Sequence, residues 1–255
     1  MAADGRAAAE RFVAANPGIR ITRAIIANPL GLDRDMLLAR RIIAPDTDYD
    51  PPARAAALVH VSAWRDCAAS GLVTHVADHR AILRERFAGL IAPHVAAADG
   101  FDLIVWGYDF CEPVEIGLAA GIDGRLIHNT AGPPPDFAAF RASAASAQAF
   151  ALRGCGAPCG YTLSPAGAAR LLALCLPFDA PPLVYFADSD RPCRSAGHHV
   201  AMARHYAGLL ALVLQPVLAV LPADPARSCP LRHFRAAFST FAVEHARASP
   251  LPWPS

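Results

Sequence analysis

Apolar positions along the chain recur with two periods, one suited to helices and one to strands. Residues 4–15 carry a helical pattern that stops at Asn16-Pro17-Gly18, a breaker sequence. Residues 19–26, Ile-Arg-Ile-Thr-Arg-Ala-Ile-Ile, alternate and are β-branched, which predicts a strand. A short helix is expected over 32–42, followed by an Asp- and Pro-rich loop at 44–52. Residues 53–70 set Leu58, Val61, Trp64 and Arg65 at helical spacing, with Gly71 just past the end.

The pattern then repeats. A strand is expected at 72–77, a helix over 81–98, and an apolar strand at 101–110. Residues 111–158, with Ala-Gly-Pro-Pro-Pro-Asp inside them, read as a less regular loop or lid. Residues 159–175 read as strand, turn and helix, with Ser164-Pro165 opening the helix. A polar loop covers 187–199, a core segment 207–221, and a Pro-rich tail 245–255. Neither an internal repeat nor a linker divides the chain. Alternating strands and helices therefore predict one α/β domain, with a mostly parallel, Rossmann-like sheet and helices on both faces. In such sheets ligands bind outside the carboxyl ends of the strands. That rim would include Asp78 and His79, the end of strand 101–110 and the 188–199 loop.

Composition narrows the function. The chain has 255 residues, 54% of them hydrophobic, so a sizeable core is available. A net charge of +1 implies no basic face and argues against nucleic acid as a partner. All 23 basic residues are arginine, which excludes a phosphate-loop lysine and lysine Schiff-base chemistry. The seven cysteines match no standard zinc spacing and read as reduced and buried. The polar N-terminal stretch lacks the apolar core of a signal peptide. The apolar run at 207–221 carries Pro216 and is too short to span a bilayer. A cytoplasmic protein without transmembrane segments is expected; the oligomeric state stays open.

The chemistry-bearing stretch is Leu72 to Leu83, "LVTHVADHRAIL", an apolar strand that ends in Asp78-His79-Arg80. Asp78 with His79 could ligate a metal if the chain turns there, since strand neighbours otherwise point to opposite faces. His75 is a further candidate. The other reading is a polar strand end with ordinary histidines. The 187–199 loop carries Asp188, Asp190, His198 and His199. "PDTDYD" at 45–50 reads as an exposed loop, and Trp64 as core.

Three stretches together resemble glycosyltransferase family 25, the lipopolysaccharide-biosynthesis and collagen-galactosyltransferase family. "AALVHVSAW" (Ala56 to Trp64) is similar to the family's C-x-L-S-H-x-x-x-W helix, with His60 and Trp64 in the matching places. "LVTHVADHRAIL" sits where the family has a strand ending L-E-D-D-A; Asp78 matches the first aspartate, and Ala77 and His79 replace the neighbouring acids. "CGYTLSPAGAARLL" (Cys159 to Leu172) is similar to G-Y-L-I-S-x-x-G-A-x-x-L-L. The family opens with a strand reading Y-V-I-N-L-D-R-R, whereas this sequence begins at a stretch resembling the segment just after it; either the strand is missing or the start lies further upstream.

The resemblance implies a GT-A type fold and transfer of a hexose from a nucleotide sugar to a hydroxyl of a glycan or other acceptor. It implies a divalent metal at Asp78 and His79. Hard oxygen ligands suit Mn or Mg; a softer metal is expected if His79 ligates. It also implies Asp188 as the general base and His60, Arg80 and Tyr161 as substrate-binding residues. Two alternatives stay open: the same scaffold repurposed for another reaction with an altered metal site, and a non-catalytic binding or assembly homologue.

Overall fold

The structure is a computed structural model that describes residues 2–27, 31–97, 100–108, 110, 113–127, 136–179, 183–185, 194–222 and 237–241. Helix α1 (Ala2–Ala15) leads into strand β1 (Ile21–Ile26) and a short helix α2 (Arg34–Ala39). The long helix α3 (Pro51–Ser70) begins where Asp50 accepts a hydrogen bond from the Ala53 amide. Prolines at its first two positions lack the amide hydrogens that would go unpaired there. It ends at Gly71, whose φ of 68° lies in the left-handed region that favours glycine.

Strand β2 (Thr74–Asp78), the short β3 (Ile82–Leu83), helix α4 (Phe87–Ala97) and strand β4 (Leu103–Tyr108) follow. The next segment contains β5 (Val114–Ala119), β6 (Ile122–Leu126), α5 (Phe137–Ala142) and β7 (Gln148–Gly154). Strand β8 (Pro158–Leu163) feeds helix α6 (Pro165–Cys175), capped by Ser164 accepting from the Gly167 amide at 2.9 Å. Then come β9 (Leu183–Tyr185), β10 (Arg194–Ala196), α7 (Gly197–Ala203), β11 (Ala211–Gln215), β12 (Ala219–Val220) and β13 (Ala237–Phe241).

The main sheet runs β1-β13-β2-β8-β4-β11-β7-β5-β6, with β3 and β12 attached beside β4, while β9 and β10 form a separate pair. The mixed α/β architecture agrees with the pattern; the parallel sheet does not. Among the described strands only β4–β11 and β4–β12 pair parallel. β8 lies antiparallel between β2 and β4. The physical reason is the connection. β2 and β4, joined through a helix, do run in one direction, but β8 follows β7 rather than a helix and inserts between them in the opposite sense.

Two cores cover the two faces of the sheet. Leu103, Val105, Tyr161, Leu163 and Val76 pack on the face covered by α3, α6 and α7. Ile104, Trp106, Cys159 and Ala77 alternate to the other face, where Phe12 of α1 and Phe87 and Ile91 of α4 cover them. Helices therefore lie on both faces, as expected.

Residues 111–158 depart from the lid reading. Their described parts build one end of the sheet: β7 pairs with β11, β5 with β7, and β6 with β5. Val114 and Ile116 are buried while Glu115 is exposed, a period-two signal that the small residues around it dilute. The 81–98 helix also starts late, because Ile82 and Leu83 pair with β12 instead. The 245–255 tail lies outside the described residues. Among the described residues, no helix is long and apolar enough to cross a membrane. Among the described residues, Cys67, Cys155, Cys159 and Cys175 are buried and form no disulfide.

Candidate functional site

Strand β8 organises both faces. On the α3 side, the Tyr161 hydroxyl lies 2.6 Å from His60 Nδ1 and accepts from Trp64 Nε1 at 3.1 Å. On the α4 side, the Thr162 hydroxyl lies 2.7 Å from His75 Nδ1 and accepts from Trp106 Nε1 at 3.0 Å. Consecutive β8 residues thus each anchor a histidine and a tryptophan, on opposite faces. His75 is packed edge-on to Phe87, which separates it from the face that holds His60.

Helix α3 presents His60 and Trp64 on one face because they are four residues apart. Both are fully buried, and burial extends along Val59, Ala63 and Cys67. Arg65, expected on the apolar face, is exposed. Close packing by glycine fits the neighbouring strands together. A Cβ on Gly160 would lie 1.9 Å from the Trp106 ring, and one on Gly167 would lie 2.0 Å from the Asp102 carbonyl oxygen. These are the two glycines of the stretch 159–172, so each has a packing reason of its own.

The β2 strand end is a compact ionic corner. Asp78 Oδ1 accepts from the Arg80 amide at 2.8 Å and from Arg80 Nε at 3.1 Å; Oδ2 accepts from Arg80 Nη2 at 3.0 Å. His79 Nδ1 lies 3.4 Å from Oδ1. Burial raises the Asp78 pKa, but the Arg80 charge and its hydrogen bonds outweigh this and hold it below the usual carboxylate value. The corner does not fit a hard divalent cation. Both oxygens of its one carboxylate are engaged by a guanidinium, and the neighbouring positions are Ala77 and His79 rather than acids.

The metal-ligating side chains that do converge are others. His198 and His199 open α7 and pack against His60. Ring centroids are 4.6 Å apart for His60–His198, 5.3 Å for His60–His199 and 4.1 Å for His198–His199. One nitrogen from each ring lies within 4.8 Å of the others. His198 is 1% exposed and His199 6% exposed, and neither ring nitrogen of either has a hydrogen-bond partner among the described residues. Burial, helped by the neighbouring imidazoles, lowers the pKa of His60 and of His198. Burial lowers His199 to about 4, against an opposing pull from Asp78. All three are therefore neutral at pH 7, the form that binds metals and accepts protons.

α7 is held close by Gly197, where a Cβ would lie 2.2 Å from the Tyr49 hydroxyl. That hydroxyl is buried without a hydrogen-bond partner among the described residues. Burial and the Asp179 charge raise its pKa, so it stays protonated.

Of the site residues expected from sequence, His60 and Tyr161 are in direct contact, and Asp78, His79 and Arg80 form their own corner. Asp188 lies outside the described residues. The pairing of His60 with His198 and His199 escaped the sequence reading. Its only signal was the doublet itself, followed by the helical stretch Val-Ala-Met-Ala. Asp50, within "PDTDYD", serves as the cap of α3. The chain matches no protein-family model, no curated protein and no solved structure.

Proposed function

We propose that the chain is a glycosyltransferase-like enzyme, similar to family 25, that moves a hexose from a nucleotide sugar to a hydroxyl of a glycan or other acceptor. One observation supports this reading. The stretch that carries its most specific likeness, Cys159 to Leu172, is hydrogen-bonded through the Tyr161 hydroxyl to Trp64 and His60 of another family-like stretch, 97 and 101 residues away. A cytoplasmic setting goes with this reading, since it keeps thiols reduced.

In such a transfer the acceptor oxygen bonds to the anomeric carbon as the bond to the diphosphate breaks. The electron pair leaves with the diphosphate, and the acceptor proton passes to a base. In this reading Asp188 is that base, and His60 and Tyr161, both fully buried, act on the substrate site from beneath, by holding α3 against β8. Arg80 meets the diphosphate by sharing its guanidinium with Asp78.

A second reading is favoured by the same corner: Arg80 takes up the one carboxylate against which the family's metal would sit. On that reading the scaffold carries out another reaction. The discriminating experiment is a thermal-shift and calorimetric screen of nucleotide sugars on the purified chain. One nucleotide class at about 100 times its Kd should stabilise the fold by about 2.7 kcal/mol, and Arg80→Ala should weaken that binding. A folded protein that binds none of them overturns hexosyl transfer and leaves the changed-reaction and non-catalytic readings.

A further inference from the structure

We propose that His60, His198 and His199 form a three-imidazole site for a first-row transition-metal dication of the Zn2+ class. The site does not depend on the transfer reading.

The geometry comes first. Nitrogens around a tetrahedral zinc at ~2.0–2.1 Å lie about 3.3 Å from one another. Here the three candidate nitrogens lie within 4.8 Å. Closing the cluster onto an ion therefore needs ring shifts on the order of 1 Å, within the reach of side-chain rotation. All three rings project from helices packed against one sheet face, so the ligands sit on rigid elements.

Among the described residues, neither ring nitrogen of His198 or of His199 has a hydrogen-bond partner, and this is an independent observation. A buried imidazole with neither nitrogen paired is costly, and buried polar groups are nearly always satisfied. Two adjacent rings share this condition, and they touch a third. A dication would take one lone pair from each ring.

His60 is set up by its outer contact. In the tautomer that donates from Nδ1 to the Tyr161 hydroxyl, the ring carries its lone pair on Nε2. A ligating histidine is commonly oriented in this way, by a partner on its other nitrogen. The donor chemistry sets the class of ion. An all-imidazole set suits zinc, copper, nickel or cobalt, and not magnesium or calcium. Three protein ligands leave a fourth position for water or substrate, the arrangement of reactive rather than purely structural zinc centres.

The test uses the untagged full chain, stripped with a chelator and titrated with Co2+ and Zn2+. We expect one ion per chain, and cobalt absorption bands of tetrahedral intensity. His198→Leu and His199→Leu should each weaken Co2+ binding by at least the ~10–100-fold that even outer-shell changes cost. Asp78→Asn should bind cobalt with the same tetrahedral spectrum. Absence of stoichiometric binding, or unchanged affinity in folded variants of both histidines, overturns the site. Should those variants fail to fold, X-ray absorption of the zinc-loaded parent decides. Three imidazoles at about 2.0–2.1 Å uphold the proposal, and an oxygen-dominated shell overturns it. Zinc bound without any nucleotide sugar would uphold this site while overturning hexosyl transfer; the converse outcome would do the reverse.

Discussion

At the scale of single residues, the Tyr161 hydroxyl holds two buried ring nitrogens from different turns of one helix, accepting from Trp64 Nε1 and bonded to His60 Nδ1. Tyr161→Phe removes it while keeping the ring. Each orphaned partner costs about 1–3 kcal/mol when it stays buried. A loss in that range, read from chemical denaturation, is the expected outcome; a change below about 0.5 kcal/mol would mean that water reaches the site. The histidine cluster makes a separate prediction about pH. The folded pKa values of His60, His198 and His199 are depressed, with His199 at about 4, while unfolded histidine titrates near about 6.5. Below that unfolded value the unfolded chain takes up protons that the folded chain does not. Stability is therefore fully present above about pH 6.5 and falls as pH drops towards the folded values, by up to ~1.4 kcal/mol per pH unit for each histidine. Melting of the chelator-treated protein from pH 7.5 down to 5 should show the slope, and His198→Leu should make it shallower. A flat profile would mean that the rings are solvated.

The secondary-structure elements depend on close backbone approaches. At Gly167 the first turn of α6 sits directly against the Asp102 carbonyl, which leaves no room for a methyl group. Gly167→Ala must push helix from strand, and should cost about 1–3 kcal/mol or more. A denaturation midpoint equal to the parent's would show that α6 can slide freely. Most elements of this kind were legible in the sequence, because their signals are local. Pro51-Pro52 after Asp50, Gly71 at a helix end, and Ser164-Pro165 before an apolar helix each mark a boundary chemically. β5 and β7 were missed because alanines and glycines weaken their alternation. The antiparallel insertion of β8 was missed because direction is decided by which strand finds which neighbour, a long-range choice that periodicity does not encode. The same limit applies to the site. His60 was singled out, and so was the doublet at 198–199, but no spacing rule states that residues so distant in sequence will meet.

For the whole molecule, the sheet should not be uniformly stable. β4 and β8 are buried along their whole length between two cores. β6 lies at one end of the sheet and is largely exposed. Hydrogen exchange should therefore rank β4 and β8 as most protected, β7 next and the β5–β6 hairpin last. Equal protection in the hairpin and in β4 would point to a covering surface over that end.

β13 has a consequence for the timing of synthesis. Residues 237–241 lie between β1 and β2, so that Ile21 pairs with Phe241, while Asp78 pairs with Phe238. A ribosome delivers β1 and β2 early, yet the strand that joins them, starting at residue 237, emerges long after β1 ends at 26 and β2 ends at 78. Until then both present unsatisfied backbone edges, the kind of surface on which chains join one another. Nascent protein should thus rely on chaperone cover more than its size suggests. A chain stopped after residue 236 should aggregate during translation, even though every histidine of the cluster has already been made.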